Sequence, residues 1–169
     1  MRLRTLGVLA VLLGACSDDD ADPKPDGSTS CENPALDALR ASEKAWKKLA
    51  AEGGDVYWYE HENCVWNAPE GQTFLVQVED GKARTVSSQS IERDQCQEML
   101  NAYAPFPSSP FEQLYAMCRS LLERECGATF VADDRDVLRT CRWDEPEPKC
   151  FDNCTEGVHI RRWDFGQAP

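Results

Sequence analysis

The chain has 169 residues, of which 30 are acidic and 18 basic, giving a formal net charge of −12. Affinity for phosphate backbones comes from Lys and Arg, so a balance this negative excludes nucleic acid as a partner. Nine cysteines in so short a chain point to an exported domain stiffened by disulfides.

The first element is a leader. Arg2 and Arg4 precede an apolar run over residues 6–15. These are the proportions of a signal peptide, and ten apolar residues fall well short of the roughly 20 that a spanning helix needs. The run ends in Leu13-Gly14-Ala15-Cys16, which resembles the lipobox of bacterial lipoproteins. The resemblance implies that residues 1–15 are removed and that Cys16 takes a diacylglyceryl thioether, with acylation (palmitate or a similar chain) of the new amine. The chain would then be held at the cell envelope by lipid. The same resemblance implies the outer membrane rather than the inner, because in enterobacterial lipoproteins a residue such as Ser17, in place of Asp, after the cysteine favours transfer there. Two or three acyl chains anchor stably, because each buried methylene contributes about 0.8 kcal/mol. Without the leader, 16 basic residues face 30 acidic ones, a charge of about −14.

Residues 16–30 continue as SDDDADPKPDGSTS after the cysteine. With no large apolar residue the stretch cannot order itself, and it reads as a disordered acidic tether reaching roughly 20 Å. Asp18-Asp19-Asp20 lacks the Gly turn and distal Glu of a calcium loop. Residues 31–169 form the single folded domain.

Asn33-Pro34 opens a first helix, whose apolar stripe is Leu36, Leu39, Trp46, Leu49 and Ala50 and which Gly53-Gly54 ends. Residues 56–62 (VYWYEHE) form an aromatic strand. Residues 73–87 form a hairpin around Asp80-Gly81. Its type I′ turn sets Val78 opposite Ala83, Gln77 opposite Arg84 and Val76 opposite Thr85. A helix is expected over residues 91–103. After the break at 105–110, a capping box in Ser109-Pro110-Phe111-Glu112 starts another. Its inner face carries Phe111, Leu114, Tyr115, Cys118, Leu121 and Leu122. Strands follow at 128–132, 137–143 and 157–165. The order α-βββ-αα-βββ predicts an α+β fold, an antiparallel sheet of about six strands with helices packed on one face.

With Cys16 assigned to lipid, eight cysteines remain, an even number for four disulfides. Folding back at Gly53-Gly54 brings Cys64 to Cys31, since a helix over 34–52 and a strand over 56–64 have similar lengths of about 30 Å. The break at 105–110 sets Cys96 against Cys118. Cys126 and Cys141 flank the turn at 133–136, and Cys150 and Cys154 remain for a local bridge. The expected pairing is 31–64, 96–118, 126–141 and 150–154. No Cys-x-x-Cys or Cys/His cluster at zinc spacing is present.

Chemistry-bearing residues are few. Glu60 and Glu62 lie on one strand face about 7 Å apart, a separation at which an inverting glycosidase could hold its acid and base; solvated surface carboxylates are the plainer reading. His61 and His159 are the two histidines, on the first and last strands. Were those strands neighbours, the imidazoles could share a metal with Glu60 or Asp164. No nucleophile elbow, phosphate loop or His-Glu-x-x-His segment occurs, so no catalytic residue, cofactor or metal is assigned. Among the tryptophans, Trp46 and Trp58 fit core positions. Trp66, past Cys64, and Trp163, facing away from Val158 and Ile160, are candidates for an exposed binding surface, with core or rim packing the alternative.

Trp46, Tyr57-x-Tyr59, the stretch Val76-Gln77-Val78-Glu79-Asp80-Gly81-Lys82 with Val86 behind it, and the helix carrying Leu114 resemble a family of uncharacterised secreted bacterial proteins. Many of these are lipoproteins, and their strand pair reads V-x-V-x-D-G-K. The likeness spans residues 45–137 and implies the fold order but no catalytic residue. The sequence therefore predicts a non-catalytic envelope lipoprotein that binds another envelope component or a secreted ligand. The alternative is a periplasmic hydrolase or an enzyme inhibitor.

Overall fold

The structure is a computed structural model that describes residues 32–64, 69–97, 102–105, 108–144 and 155–169. The leader, the tether, Cys16, Cys31, Trp66, Cys150 and Cys154 lie outside the described residues.

Helix α1 (Ala35–Gly53) starts where expected. Asn33 Oδ1 accepts the Ala35 N–H at 2.9 Å, satisfying a donor that the helix start leaves without an intrahelical acceptor. Leu39 and Trp46 on its stripe are fully buried, and Gly54 at φ 91° ends it. Strand β1 (Tyr57–Asn63) follows, then β2 (Glu70–Glu79) and β3 (Lys82–Glu92). The β2–β3 turn has Asp80 at φ 51° and Gly81 at φ 66°, the two left-handed residues of a type I′ turn. Its register is the one the sequence predicts: Val78 opposite Ala83, Gln77 opposite Arg84 and Val76 opposite Thr85.

The helix expected over 91–103 is not present in the part of that range that is described. β3 runs on to Glu92, a 3₁₀ turn occupies Arg93–Gln95, and a short strand β4 lies at Ala102–Pro105. The ten-residue β2 offers a ladder out to Glu70, and pairing along it places Ile91 in a buried position opposite Gly71. Tertiary pairing thus overrides a local helical pattern.

Helix α2 (Phe111–Arg124) and strands β5 (Thr129–Ala132), β6 (Leu138–Asp144) and β7 (Thr155–Phe165) complete the chain. The expected capping box at Ser109 does not form, because two tyrosines on β1 take over its role. The Phe111 N–H donates to the Tyr57 hydroxyl at 2.8 Å, while the Tyr59 hydroxyl accepts from Ser109 N at 2.9 Å and donates to Ser109 O at 2.8 Å. Glu112, freed from capping, accepts from Trp46 Nε1 at 2.8 Å. Tyrosines in β1 therefore fix the height at which α2 enters the core.

The sheet runs β3-β2-β1-β7-β6-β5, antiparallel throughout, with β4 added in parallel to β7. The α+β class, the antiparallel sheet and the two helices separated by strands match the expectation, with β4 as an extra seventh strand. Both helices pack over one sheet face, where Trp46, Leu39, Phe111, Leu114, Leu121 and Leu122 meet Tyr57, Tyr59, Val76, Val78, Leu138, Val158, Ile160 and Trp163.

The disulfides depart from the proposed pairing. Cys64 is bonded to Cys96 and Cys118 to Cys141, which overturns 31–64, 96–118 and 126–141. The first bond follows from the three-stranded meander, which returns the end of β3 to the end of β1. Both sulfurs press on Gly71, where a Cβ would stand 2.5 and 2.8 Å from them. The second ties the inner face of α2 to β6. Cys126 is also disulfide-bonded, and the expected 150–154 pair lies outside the described residues.

Candidate functional site

Residues along β1 alternate between two environments. Tyr57, Tyr59 and His61 face the helices; Trp58, Glu60 and Glu62 face the opposite side of the sheet. β7 pairs beside β1 but not with unbroken alternation. Tyr59 stands opposite Trp163 and Glu60 opposite Arg162, and then the register slips by one so that His61 faces Ile160 and Glu62 faces His159. The extra residue is Arg161, a β-bulge that keeps Ile160 and Trp163 both on the helix side.

The bulge assembles an ionic cluster on the sheet face away from the helices. Arg161 Nε lies 3.5 Å from Glu60 Oε1 and 3.6 Å from Glu62 Oε2. Arg162 donates to Glu60 Oε2 at 2.9 Å and stacks over Trp58 with its guanidinium carbon 5.5 Å from the ring centre. The Glu62 side chain is wholly buried and also accepts the Gln97 backbone N–H at 3.2 Å. Placing a carboxylate there is tolerable only because it is multiply bonded.

His159 extends the cluster toward β6. Its Nδ1 is 2.7 Å from Thr140 Oγ1, and its Nε2 is 3.3 Å from Gln97 Oε1. Gln97 Oε1 also accepts from Arg139 at 2.9 Å. Since that oxygen only accepts, His159 carries its proton on Nε2, and Nδ1 accepts the Thr140 hydroxyl. Burial, and then Arg139, Arg161 and Arg142, hold the imidazole down to a pKa of about 4. The 3.9 Å approach of Nε2 to Glu62 is thus no ion pair at neutral pH.

His61 is elsewhere. Its ring stacks on Phe74 at 5.0 Å, its Nε2 lies 3.4 Å from Ser108 Oγ, and burial pushes its pKa down to about 4. The first and last strands are indeed neighbours, yet adjacent register positions send His61 and His159 to opposite faces. They cannot share a metal, and among the described residues no three His, Cys, Asp or Glu side chains are grouped to hold one.

Glu60 and Glu62 share a face as expected. One guanidinium fills the space between them, where an inverting glycosidase needs a sugar and a water. Thr140, His159 and Glu62 have the connectivity of nucleophile, base and orienting acid, but the threonine is buried and its carboxylate is already divided between Arg161 and Gln97. Two depressions lined by described residues lie elsewhere. One, of about 220 Å³, runs between Gly54, Tyr57, Asp80 and Glu112, and the other is bordered by Asn33, Asp37, Arg40 and Glu123.

Trp163, expected on an exposed binding surface, is 4% exposed. Its ring meets Trp46 edge-on at 5.4 Å, Nε1 donates to Asp133 Oδ2 at 2.7 Å, and the Arg135 guanidinium covers its face at 3.5 Å. The bulge at Arg161 is the physical reason: one extra residue reverses the parity that assigned Trp163 to the outside. Arg161, Thr140 and Gln97 were not singled out from the sequence. The adjacent Arg161-Arg162 was the available signal, because strict alternation would drive one of the two cations into the core.

No protein-family model matches the chain, and neither a curated protein nor a solved structure matches it.

Proposed function

We propose that this chain is a non-catalytic binding domain held at the bacterial envelope by lipid on Cys16, with an envelope protein or secreted ligand as its partner. The observation that carries the non-catalytic half is the Arg161 guanidinium set between Glu60 and Glu62 at 3.5 and 3.6 Å. The carboxylates best placed for acid–base work are thereby committed to holding strands β1 and β7 together. Three disulfide-bonded pairs or half-pairs, at Cys64–Cys96, Cys118–Cys141 and Cys126, agree with an oxidising compartment. The outer membrane is the expected address, and no cofactor enters the reading.

The rival, a periplasmic hydrolase, would have to use Thr140 with His159. Assays with ester, peptide and glycoside substrates test it: the native chain and the Thr140→Val variant should be equally inactive, whereas turnover that disappears in the variant overturns the reading. Metabolic labelling tests the anchor. Radiolabelled palmitate should enter the native chain and not Cys16→Ser, and equal labelling of both rejects lipidation at that residue.

A further inference from the structure

We propose that the Cys64–Cys96 disulfide is a latch: its opening by a dithiol releases Gln97 from Glu62 and His159 and uncovers that end of the ionic face, while the rest of the fold stays in place. This goes beyond the envelope-binding reading and does not depend on it.

Three bonds at Gln97 close over the cluster. Its backbone N–H donates to Glu62 Oε2 at 3.2 Å, and its side-chain oxygen meets His159 Nε2 at 3.3 Å and Arg139 at 2.9 Å. Beneath them the Glu62 side chain is wholly buried and His159 is 3% exposed. Gln97 itself is exposed, as is every residue of the 3₁₀ turn Arg93–Gln95 that leads to it. An exposed polar segment past the end of a strand buries little apolar area and opens locally with ease. Its covalent tie is Cys96, the residue directly before Gln97, bonded across to Cys64 just past the end of β1.

Two disulfides described at both ends differ in access. Cys118 and Cys141 are both 0% exposed, whereas Cys96 is half-buried beside a fully buried Cys64. A thiolate can therefore attack at Cys96 but not between α2 and β6. The attacking sulfur of the dithiol forms a mixed disulfide with Cys96, and Cys64 leaves as a thiolate and takes up a proton. The second thiol of the same molecule then attacks the first and releases Cys96, which also takes up a proton. The dithiol departs as its own disulfide, so two electrons and two protons pass to the protein. What opens is local. Neither cysteine belongs to a strand, and the β1–β2 and β2–β3 ladders, seven and ten pairs long, hold the meander without the bond.

The test uses the full chain in detergent. Dithiothreitol is titrated in, free thiols are trapped with N-ethylmaleimide, and the labelled cysteines are located by peptide mass. Cys64 and Cys96 should be labelled while Cys118 and Cys141 are not. In the reduced chain, NMR should find hydrogen exchange of the Gln97 amide at least about tenfold faster, with the Tyr59 and Val76 amides unchanged. His159, released from cover, should titrate about one pH unit higher, and His61 should stay where it is. Cys126 is also bonded and is exposed, so two variants without reductant assign the changes to one bond. Cys64→Ser with Cys96→Ser should reproduce both changes, and Cys126→Ser should show neither; near-UV circular dichroism checks that each is folded. Opening of Cys118–Cys141 at the same reagent concentration, or a Cys64–Cys96 bond that stays closed, overturns the proposal. So does an opened bond that leaves Gln97 exchange and the His159 titration unmoved, or that moves both histidines equally.

Discussion

The two faces of the central strands β1 and β7 are built on different physics. Toward the helices, polar atoms are spent on positioning: the Tyr57 and Tyr59 hydroxyls satisfy the start of α2, and the rings beneath them pack on Trp46 and Phe111 at centroid distances of 4.8 to 5.6 Å. On the other face the same strands hold Glu60, Glu62, Arg161 and Arg162 in one bonded set, to which Gln97 links the neutral His159. The aromatic face gains by area removed from water, which is tolerant of direction. The ionic face gains only if every member is present, since an unpaired buried charge costs more than the pair contributes. Each face also carries a buried histidine, one in an apolar setting and one in an ionic setting.

The largest expected effect breaks the aromatic face. Trp46→Ala removes a ring in contact with Tyr57, Phe111, Trp163 and Phe165 and strands Glu112, and should cost about 4 kcal/mol, read from urea unfolding midpoints. Next comes a property both faces share. His61 and His159 are held near pKa 4 when folded, against about 6.5 when unfolded. Above pH 6.5 both states are neutral, so the full stability is present. As pH falls from 6.5 toward 4 the unfolded chain takes up protons that the folded chain refuses, and stability should drop by up to about 3 kcal/mol per histidine. Urea midpoints measured from pH 7.5 to 4 check this, and a midpoint that does not fall over that window contradicts it.

A smaller effect tests whether the ionic face acts as a unit. Arg161→Met leaves Glu60 and Glu62 facing each other and should cost about 2 kcal/mol. Adding Glu62→Gln to that background should recover roughly half of it, because the buried charge that lost its partner is then gone. Simple additivity of the two changes would mean that the cluster is a set of independent contacts.

How much of this was legible in the sequence depended on range. The Asp80-Gly81 turn and its register were readable because the two positive φ angles are a local demand that those residues meet. The stripe of α1 was readable because it repeats within one element. The strand over residues 82–92 was read only as far as 87, since its last turn of pairing is dictated by the length of β2 and by the Cys64–Cys96 bond, both distant in sequence. Trp163 was assigned to the wrong face by a single bulge. Glu60 and Glu62 were found as a pair, but their partner Arg161 depends on β1 lying beside β7, a strand order no local pattern contains. The disulfides failed for the same reason: spacing along the chain is a poor guide once a meander returns the end of β3 to the end of β1.

The smallest expected effect separates the two histidines. Gln97 reaches over the ionic face, where its side-chain oxygen meets His159 Nε2 at 3.3 Å and Arg139 at 2.9 Å. Gln97→Ala removes that acceptor and opens Nε2 to water, which lessens the burial that chiefly depresses the His159 pKa. The His159 titration should therefore move up from about 4, by under about one unit, while His61, on the other side of the sheet against Phe74, stays where it is. The chain has two histidines, so an NMR titration of the imidazole resonances resolves both in one experiment. Equal movement of the two would show that the faces communicate through the strands between them; movement of His159 alone means that β1 and β7 insulate the ionic cluster from the aromatic core.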